Sequence, residues 1–194
     1  MNHTKTNVTG YILAGGQSSR MGMDKGLIEF NNKAIIEHVI HQLKPVVNNI
    51  VIVSGNQAYS KFGYELITDI IPQSGPAGGI HAALNHTATA HNFILSCDMP
   101  FVTSQAIDFV INHAQGFQIT IPFFKNNYEP MFGVYSKDCA FYWETLMKEG
   151  KKKLMDLISQ FAVQQLSVDE NTLFDDSVFV NINTKEDLMN AKKR

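Results

Sequence analysis

Short apolar runs alternate with amphipathic segments along most of the chain. Apolar runs closed by small or polar residues are typical of buried strands, which are predicted at residues 9–13, 49–53 and 92–96. Helices should separate and follow them, most clearly at residues 34–43, where apolar positions recur with a 3.6-residue period. The other helices are predicted at residues 78–86, 104–113, 139–148 and 153–161, and from residue 185 onward.

The pattern changes after Gly116. Residues 118–124 and 130–135 flank the turn-like Lys125-Asn126-Asn127 and resemble an antiparallel hairpin, and a further short strand is predicted at residues 178–180. Strand and helix otherwise alternate, which favours a doubly wound sheet. The prediction is therefore an α/β, Rossmann-like three-layer fold with a mostly parallel, mixed central sheet.

Ligands of such sheets bind beyond the carboxyl ends of the strands. Three loops of the chain follow predicted strands directly: Gly15-Gly16, Ser54-Gly55-Asn56 and Cys97-Asp98-Met99-Pro100. We expect them to meet on one rim of the sheet, although they come from distant parts of the sequence.

Composition narrows the class of protein. The 194 residues are 44% apolar and 18% charged, which predicts one globular domain at residues 8–194 after a flexible tail at residues 1–7. A net charge of −2 argues against nucleic-acid partners, since basic residues form only short runs such as residues 151–153. No apolar stretch is long enough to predict a membrane span, and two isolated cysteines suit a reducing compartment, so we expect a cytoplasmic protein.

The segment from Ala14 to Lys25 has the composition of a phosphate-binding loop. Its glycines permit close backbone approach, and Arg20 and Lys25 supply cations. The spacing matches neither a Walker A loop nor GxGxxG. A surface turn with two solvated cations is the alternative from glycine content alone.

Two carboxylates follow predicted strands or strand-like runs. Asp98 comes directly before Met99-Pro100 and could hold Mg²⁺, which needs only one or two protein carboxylates beside substrate phosphates. Asp69 is a second candidate, and the Gly- and Pro-rich stretch after it leads to a helix N-terminus that can face a nucleotide. Singly, each acid could instead be a turn former or helix cap.

Four segments carry a family resemblance across nearly the whole chain. They are Leu13-Ala14-Gly15-Gly16-Gln17-Ser18-Ser19-Arg20-Met21-Gly22-Met23-Asp24-Lys25, residues 75–80, Cys97-Asp98-Met99-Pro100 and Asn181-Ile182-Asn183-Thr184. In order and spacing they resemble the molybdenum cofactor guanylyltransferase family, the MobA family of nucleotidyltransferases. The first segment is closer to the guanylyl branch than to cytidylyl relatives, which tend to have Ala-Ala-Gly.

The resemblance implies transfer of GMP from GTP to the phosphate of molybdenum-molybdopterin, with Mg²⁺ as cofactor and pyrophosphate as the second product. It assigns Arg20, Lys25 and Asp98 to catalysis and Asp98 to the metal, while Asn181 and Asn183 bind the acceptor. Expected partners include molybdenum-insertion proteins and target-enzyme chaperones. The nucleotide-binding residues that it implies are Leu13, Ala14, Gly15, Gly16, Lys25, Asn56, Asp69, Gly78 and Asp98.

One departure and three alternatives accompany this interpretation. Ser54 stands where the best-matched relatives have Asn, so the resemblance does not carry a nucleotide contact over to that position, whereas Asn56 can keep one. The same fold could use CTP or a sugar phosphate, or could bind a nucleotide without turnover. A small flavodoxin-like protein is a third alternative, without support from a flavin-binding pattern.

Overall fold

The computed structural model describes residues 7–15 and 24–193. Gly16 and Arg20, two predicted site residues, lie outside the described residues. The α-helices are α1 (Ile35–Leu43), α2 (Gly75–His86), α3 (Ser104–Asn112), α4 (Ala140–Lys148), α5 (Leu154–Ile158) and α6 (Lys185–Ala191). The strands are β1 (Val8–Leu13), β2 (Glu29–Phe30), β3 (Lys33–Ala34), β4 (Asn49–Val53), β5 (Glu65–Ile67), β6 (His91–Ser96), β7 (Ile119–Phe124), β8 (Asn127–Tyr128), β9 (Phe132–Ser136) and β10 (Val163–Ser167).

Eight strands form the central sheet, in the order β10-β7-β9-β6-β1-β4-β5, with β8 paired to β7. Parallel pairs join β1 to β4 and β6, β4 to β5, and β7 to β10. β9 runs antiparallel to β6 and β7, as β8 does to β7. Because β9 is reversed, its beginning lies at the same rim of the sheet as the carboxyl ends of its parallel neighbours.

Helices cover both faces of the sheet, as the three-layer prediction required. One apolar core packs α1 and α3 against the sheet through side chains such as Ile36 and Ile107. A second core lies on the other face under α2, α4 and α5, around the fully buried Trp143. Strands covered on both faces explain why β1, β4 and β6 are continuous apolar runs in the sequence.

With one exception, the predicted strands and helices are confirmed with small shifts at their ends. α2 begins at Gly75, three residues before its predicted start, because Pro76 is accommodated in the first helical turn. In the predicted hairpin, Lys125 and Asn126 have positive φ values of 48° and 64°, which closes a two-residue turn between β7 and β8. The chain then returns along β7 as β9.

The strand predicted at residues 178–180 is wrong. Val178 and Val180 donate backbone hydrogen bonds to residues three positions earlier, and the Asp175 carboxylate accepts from the Ser177 N–H at 2.8 Å. These local bonds form turns that compete with strand pairing. One edge of the sheet is instead formed by β10, whose half-polar sequence Val-Gln-Gln-Leu-Ser did not indicate a strand.

Within the described part of the chain, no helix is long and apolar enough to span a membrane.

Candidate active site

A cavity of about 760 Å³ opens at the rim where the parallel strands end and β9 begins. Its walls come from loops after β1, β4, β5 and β6, from the segment before β9 and from the segment before α6. The three predicted loops therefore meet, and the cavity brings together residues up to 170 positions apart, from Leu13 to Asn183. The described lining residues are Leu13, Gly15, Asp24, Lys25, Val53, Gly55, Asp69, Gln73, Gly75, Pro76, Gly79, Ser96, Cys97, Asp98, Met99, Glu129, Pro130, Met131, Asn181 and Asn183.

The end of β1 contributes to the cavity mainly through its backbone and Leu13. Leu13 and Gly15 line the cavity, whereas Ala14 is fully buried and its N–H donates to the Val53 carbonyl at 2.9 Å. Ala14 thus continues the β1 and β4 pairing and sets the direction in which the chain leaves the sheet. Gly16, the next predicted contact, is outside the described residues.

Helix α2 begins at the cavity wall. The first N–H groups of a helix have no partner within the helix, and its N-terminal end carries partial positive charge, so this end favours an anion. A Cβ on Gly79 would lie 3.1 Å from Leu13 Cδ1, which shows how closely α2 approaches β1. This helix start therefore lies beside the end of β1, as a nucleotide-binding site requires.

Asp69 lies on the same side of the cavity as the start of α2. A Cβ on Gly78 would come within 3.2 Å of Asp69 Oδ2, so the absence of a side chain at Gly78 leaves room for this carboxylate. Partial burial raises the pKa of Asp69, and the nearby His81 opposes this shift. Gly78 itself is buried and does not line the cavity, so we interpret its predicted role as making space for Asp69.

Lys25 and Asp98 lie next to each other near the middle of the rim. Lys25 Nζ is 3.4 Å from Asp98 Oδ2 and also donates to Asn183 Oδ1. Ser96 Oγ donates to the other Asp98 oxygen at 2.6 Å. A predicted cation, a predicted metal ligand and a predicted acceptor-binding amide are thus in one contact network.

The segment before α6 is anchored to the end of β6. The Ile182 N–H donates to the Asp98 carbonyl at 2.9 Å, and the Ile182 side chain is fully buried. At the start of α6, Thr184 and Asp187 form a reciprocal cap. These contacts hold Asn181 and Asn183, on either side of Ile182, in the cavity wall.

Asp24 was not predicted as a site residue, although it precedes Lys25 in the motif. It lines the cavity and accepts hydrogen bonds from the Tyr59 hydroxyl and, at 3.3 Å, from Asn56 Nδ2. Asn56 Oδ1 accepts from the Ala58 N–H at 3.0 Å, so both ends of its amide are used within the protein. Since Asn56 does not line the cavity, we interpret its predicted nucleotide role as indirect, through Asp24.

Ser54 has a structural role in the same loop. It is 4% exposed, and its Oγ accepts from the Asn56 N–H at 3.1 Å. This hydrogen bond shapes the turn that presents Asn56 to Asp24. The departure from Asn at this position therefore leaves the turn intact.

Glu129 is a second site residue that sequence reasoning missed. It lies at the other end of the rim from Asp69, in the segment before β9, and lines the cavity beside Pro130 and Met131. Burial raises its pKa to about 7. The only signal in the sequence is an acid between the two arms of the predicted hairpin, a position that usually indicates a solvated loop.

Comparison with known proteins agrees with this geometry. Residues 10–166 match the model of the MobA-like NTP transferase domain, which is most of the chain. The chain belongs to this family. Its sheet, with helices on both sides and the cavity at the carboxyl ends of the strands, is the architecture of the nucleotidyltransferases that it resembles.

Individual relatives extend the similarity to nearly full length. A probable molybdenum cofactor guanylyltransferase of Flavobacterium johnsoniae is 34% identical over 182 residues, covering 93% of this chain and 94% of the relative. The molybdenum cofactor guanylyltransferase of Vibrio parahaemolyticus is 35% identical and covers 94% of both chains. The crystal structure of molybdopterin-guanine dinucleotide biosynthesis protein A from Archaeoglobus fulgidus superposes with a TM-score of 0.83 at 27% identity, covering 95% of this chain and 97% of that one.

Proposed function

We propose that this MobA-like protein transfers GMP from GTP to the phosphate of molybdenum-molybdopterin and releases pyrophosphate. The observation that carries the proposal is the contact of Lys25 with both Asp98 and Asn183 inside a cavity that also contains the start of α2. Near full-length similarity to guanylyltransferases supports GTP as donor and a molybdopterin as acceptor.

In this proposal the two halves of the cavity bind the two substrates. The base and ribose of GTP lie against Leu13, Gly15 and Asp69, and the triphosphate extends past the start of α2 toward Lys25. The acceptor phosphate approaches from the side of Asn181 and Asn183. The α-phosphate thus lies between them, near Asp98.

The chemistry requires two anions to meet. An acceptor phosphate is already negatively charged, so attack on the α-phosphate needs no strong general base. Lys25, together with Arg20 of the glycine-rich segment, would offset the repulsion and stabilise the charge that develops on the α-phosphate and on departing pyrophosphate. Holding the reactants in line between two fixed walls contributes the remaining acceleration.

Mg²⁺ belongs to the proposal as well. Within residues 7–15 and 24–193, no group of three or more His, Cys, Asp or Glu side chains could form a metal site. Asp98 nevertheless fits the ion, because Mg²⁺ binds through one or two carboxylates plus substrate phosphates. When bound by Asp98 and the triphosphate, the ion would neutralise phosphate charge as a Lewis acid.

We also propose that the protein is located in the cytoplasm.

The decisive assay measures pyrophosphate release and dinucleotide formation by purified protein with the acceptor, Mg²⁺ and either GTP or CTP. We expect product with GTP, little with CTP, and none when EDTA removes the metal. Equal or faster turnover with CTP would assign the chain to a cytidylyltransferase instead. GTP binding without any turnover would indicate a non-catalytic nucleotide-binding module.

A further inference from the structure

Glu129 and Asp69 occupy opposite ends of the cavity rim. Asp69 follows β5 and Glu129 precedes β9, and four strand spacings separate these strands in the sheet. At about 4.8 Å per spacing, the two strands are roughly 19 Å apart. Lys25 and Asp98 lie between them, beyond the end of β6.

Glu129 is held in the cavity wall by its neighbours. Its backbone is fixed, since its N–H donates to the Pro122 carbonyl and its carbonyl accepts from the Phe132 N–H, both at 3.0 Å. The adjacent Pro130 and Met131 line the same part of the cavity, and Met131 is joined to β6 through the Ser96 N–H. These contacts fix the position of the chain that carries the carboxyl.

The carboxyl group of Glu129 has no hydrogen-bond donor or ion-pair partner among the side chains of residues 7–15 and 24–193. A half-buried carboxylate without a partner is costly for a folded protein. Such a group in a substrate cavity is a functional candidate, because a ligand can supply the missing donors.

The acceptor proposed above has such donors. A pterin ring presents a 2-amino-4-oxopyrimidine edge, with a ring N–H beside an exocyclic NH₂. These two parallel donors match the two oxygens of one carboxylate, as in other bidentate pairs. Guanine carries the same pair of donors, and Asp69 lies at the guanine end of the proposed arrangement.

We propose that Glu129 selects the acceptor by accepting two hydrogen bonds from the amino-pyrimidinone edge of the pterin ring. This inference rests on the proposed function. The dinucleotide product would then extend along the rim, with one aminopyrimidinone ring at each carboxylate and its phosphates between them at Lys25. A ring with oxygen in place of the amino group would place an acceptor against the carboxylate and would be rejected.

The test uses two fluorescent probes, 6-hydroxymethylpterin monophosphate and 6-hydroxymethyllumazine monophosphate, which differ in the 2-amino or 2-oxo group. Binding to the wild-type chain should favour the pterin by about tenfold or more. Glu129→Gln keeps the shape but replaces one acceptor by a donor, so it should weaken pterin binding by about tenfold and remove the preference. Glu149→Gln, an exposed change in the turn after α4, is the matched control and should alter neither affinity.

A pH series separates recognition from a structural role. The ratio of wild-type to Glu129→Gln affinity for the pterin probe should fall as the pH drops through about 7, where the Glu129 carboxylate becomes protonated. The other titratable groups of the cavity and the phosphate of the probe are present in both measurements, so their contributions cancel in this ratio. Among the described residues these are Asp24, Lys25, Asp69, Cys97 and Asp98.

Several outcomes would overturn the inference. One is equal binding of the two probes to the wild type, and another is pterin binding by Glu129→Gln at wild-type strength. A changed Mg²⁺ requirement for GMP transfer with unchanged pterin affinity would make Glu129 a metal-site residue instead. Should Glu129→Gln fail to melt cooperatively, Glu129→Asp keeps both acceptors and must retain the preference for the 2-amino ring.

Failure of the inference is distinguishable from failure of the proposed function. Probe binding is measured without GTP, whereas the function is tested by GMP transfer in the wild type. If the wild type transfers GMP but Glu129→Gln leaves probe binding unchanged, only the proposed role of Glu129 is refuted. Absence of transfer with every donor removes the function, whatever the probes show.

Discussion

The two halves of the cavity are built in different ways. The half that we assign to the nucleotide is formed by loops after three adjacent parallel strands and by the start of α2, and it includes Leu13, Gly15 and Gly79. The half that we assign to the acceptor is formed by side chains from segments far apart in the sequence, including Glu129 and Asn183. The first half offers mainly backbone N–H groups and space, and the second offers carboxylate and amide groups.

This difference explains what a change in each half should do. A backbone-lined site tolerates few side chains, because each added atom occupies space meant for the ligand or a neighbour. In a site formed by side chains, each substitution removes only the contacts of the side chain that is replaced. Lys25 and Asp98 join the halves, so the largest effects should arise there.

Asp98→Ala should reduce GMP transfer by about 100-fold or more, since it removes the proposed metal ligand and the partner of Lys25. Steady-state kinetics at saturating GTP and Mg²⁺ would measure the loss, and thermal melting would show that the fold is intact. Ser96→Ala, which removes only the 2.6 Å hydrogen bond to Asp98, is the graded control and should be less harmful. Normal turnover by Asp98→Ala would rule out the metal assignment.

One substitution in each half of the cavity should show which ligand that half binds. Asp69→Asn should weaken GTP binding by about tenfold, since one charged hydrogen bond contributes about 1.5 kcal/mol, and should leave pterin-phosphate binding unchanged. Asn183→Ala should weaken pterin-phosphate binding and leave GTP binding unchanged. Isothermal titration with each ligand measures both constants. If both variants weakened both ligands equally, the division of the cavity into two substrate halves would be incorrect.

Gly26→Ala should impair the Lys25 turn through packing. The added Cβ would lie 2.5 Å from Tyr59 Oη and 3.1 Å from Cys97 Sγ, and both neighbours are buried. We expect a loss of about 1–3 kcal/mol in the free energy of unfolding, with reduced turnover. Gly55→Ala is the control for stability, because no atom of the described residues beyond its two chain neighbours lies within 4 Å of its Cβ position. Urea unfolding measures the free energy of unfolding of both variants. Equal values for Gly26→Ala and Gly55→Ala would contradict the proposed packing effect.

His81→Leu should have the smallest effect, and one that depends on pH. His81 is 1% exposed, and neither ring nitrogen has a hydrogen-bond partner in the described part of the chain. Burial lowers its pKa, although Glu144 and Asp69 oppose the shift while Lys148 adds to it. The unfolded chain therefore takes up a proton near pH 6.5 that the folded chain resists, so the wild type loses stability as the pH falls below that value.

Replacement by Leu removes this dependence. Between pH 7.5 and 5.5 the wild type should lose about 1 kcal/mol more than His81→Leu, measured by urea unfolding at both values. Parallel stability curves would show that His81 does not cause the acid sensitivity.

Most of the fold was predictable because burial on both faces leaves a strong local signal. β4 carries four consecutive buried apolar residues after Asn49, and α1 repeats its apolar residues along one face. β10 was missed because an edge strand with alternating polar residues lacks that signal. The strand predicted at residues 178–180 failed because side-chain hydrogen bonds of Asp175 favour turns over pairing.

The sequence by itself determined most of the order of strands and helices, the glycine-rich segment and the candidate cations and acids, because these depend on local spacing. Only the tertiary structure decided that Asn183 contacts Lys25, that Asn56 supports Asp24, and that Glu129 lies in the cavity wall. The reason is physical. Contacts between residues 32 and 158 positions apart, and the burial of a loop carboxyl, follow from strand order and the reversal of β9, which no local pattern records.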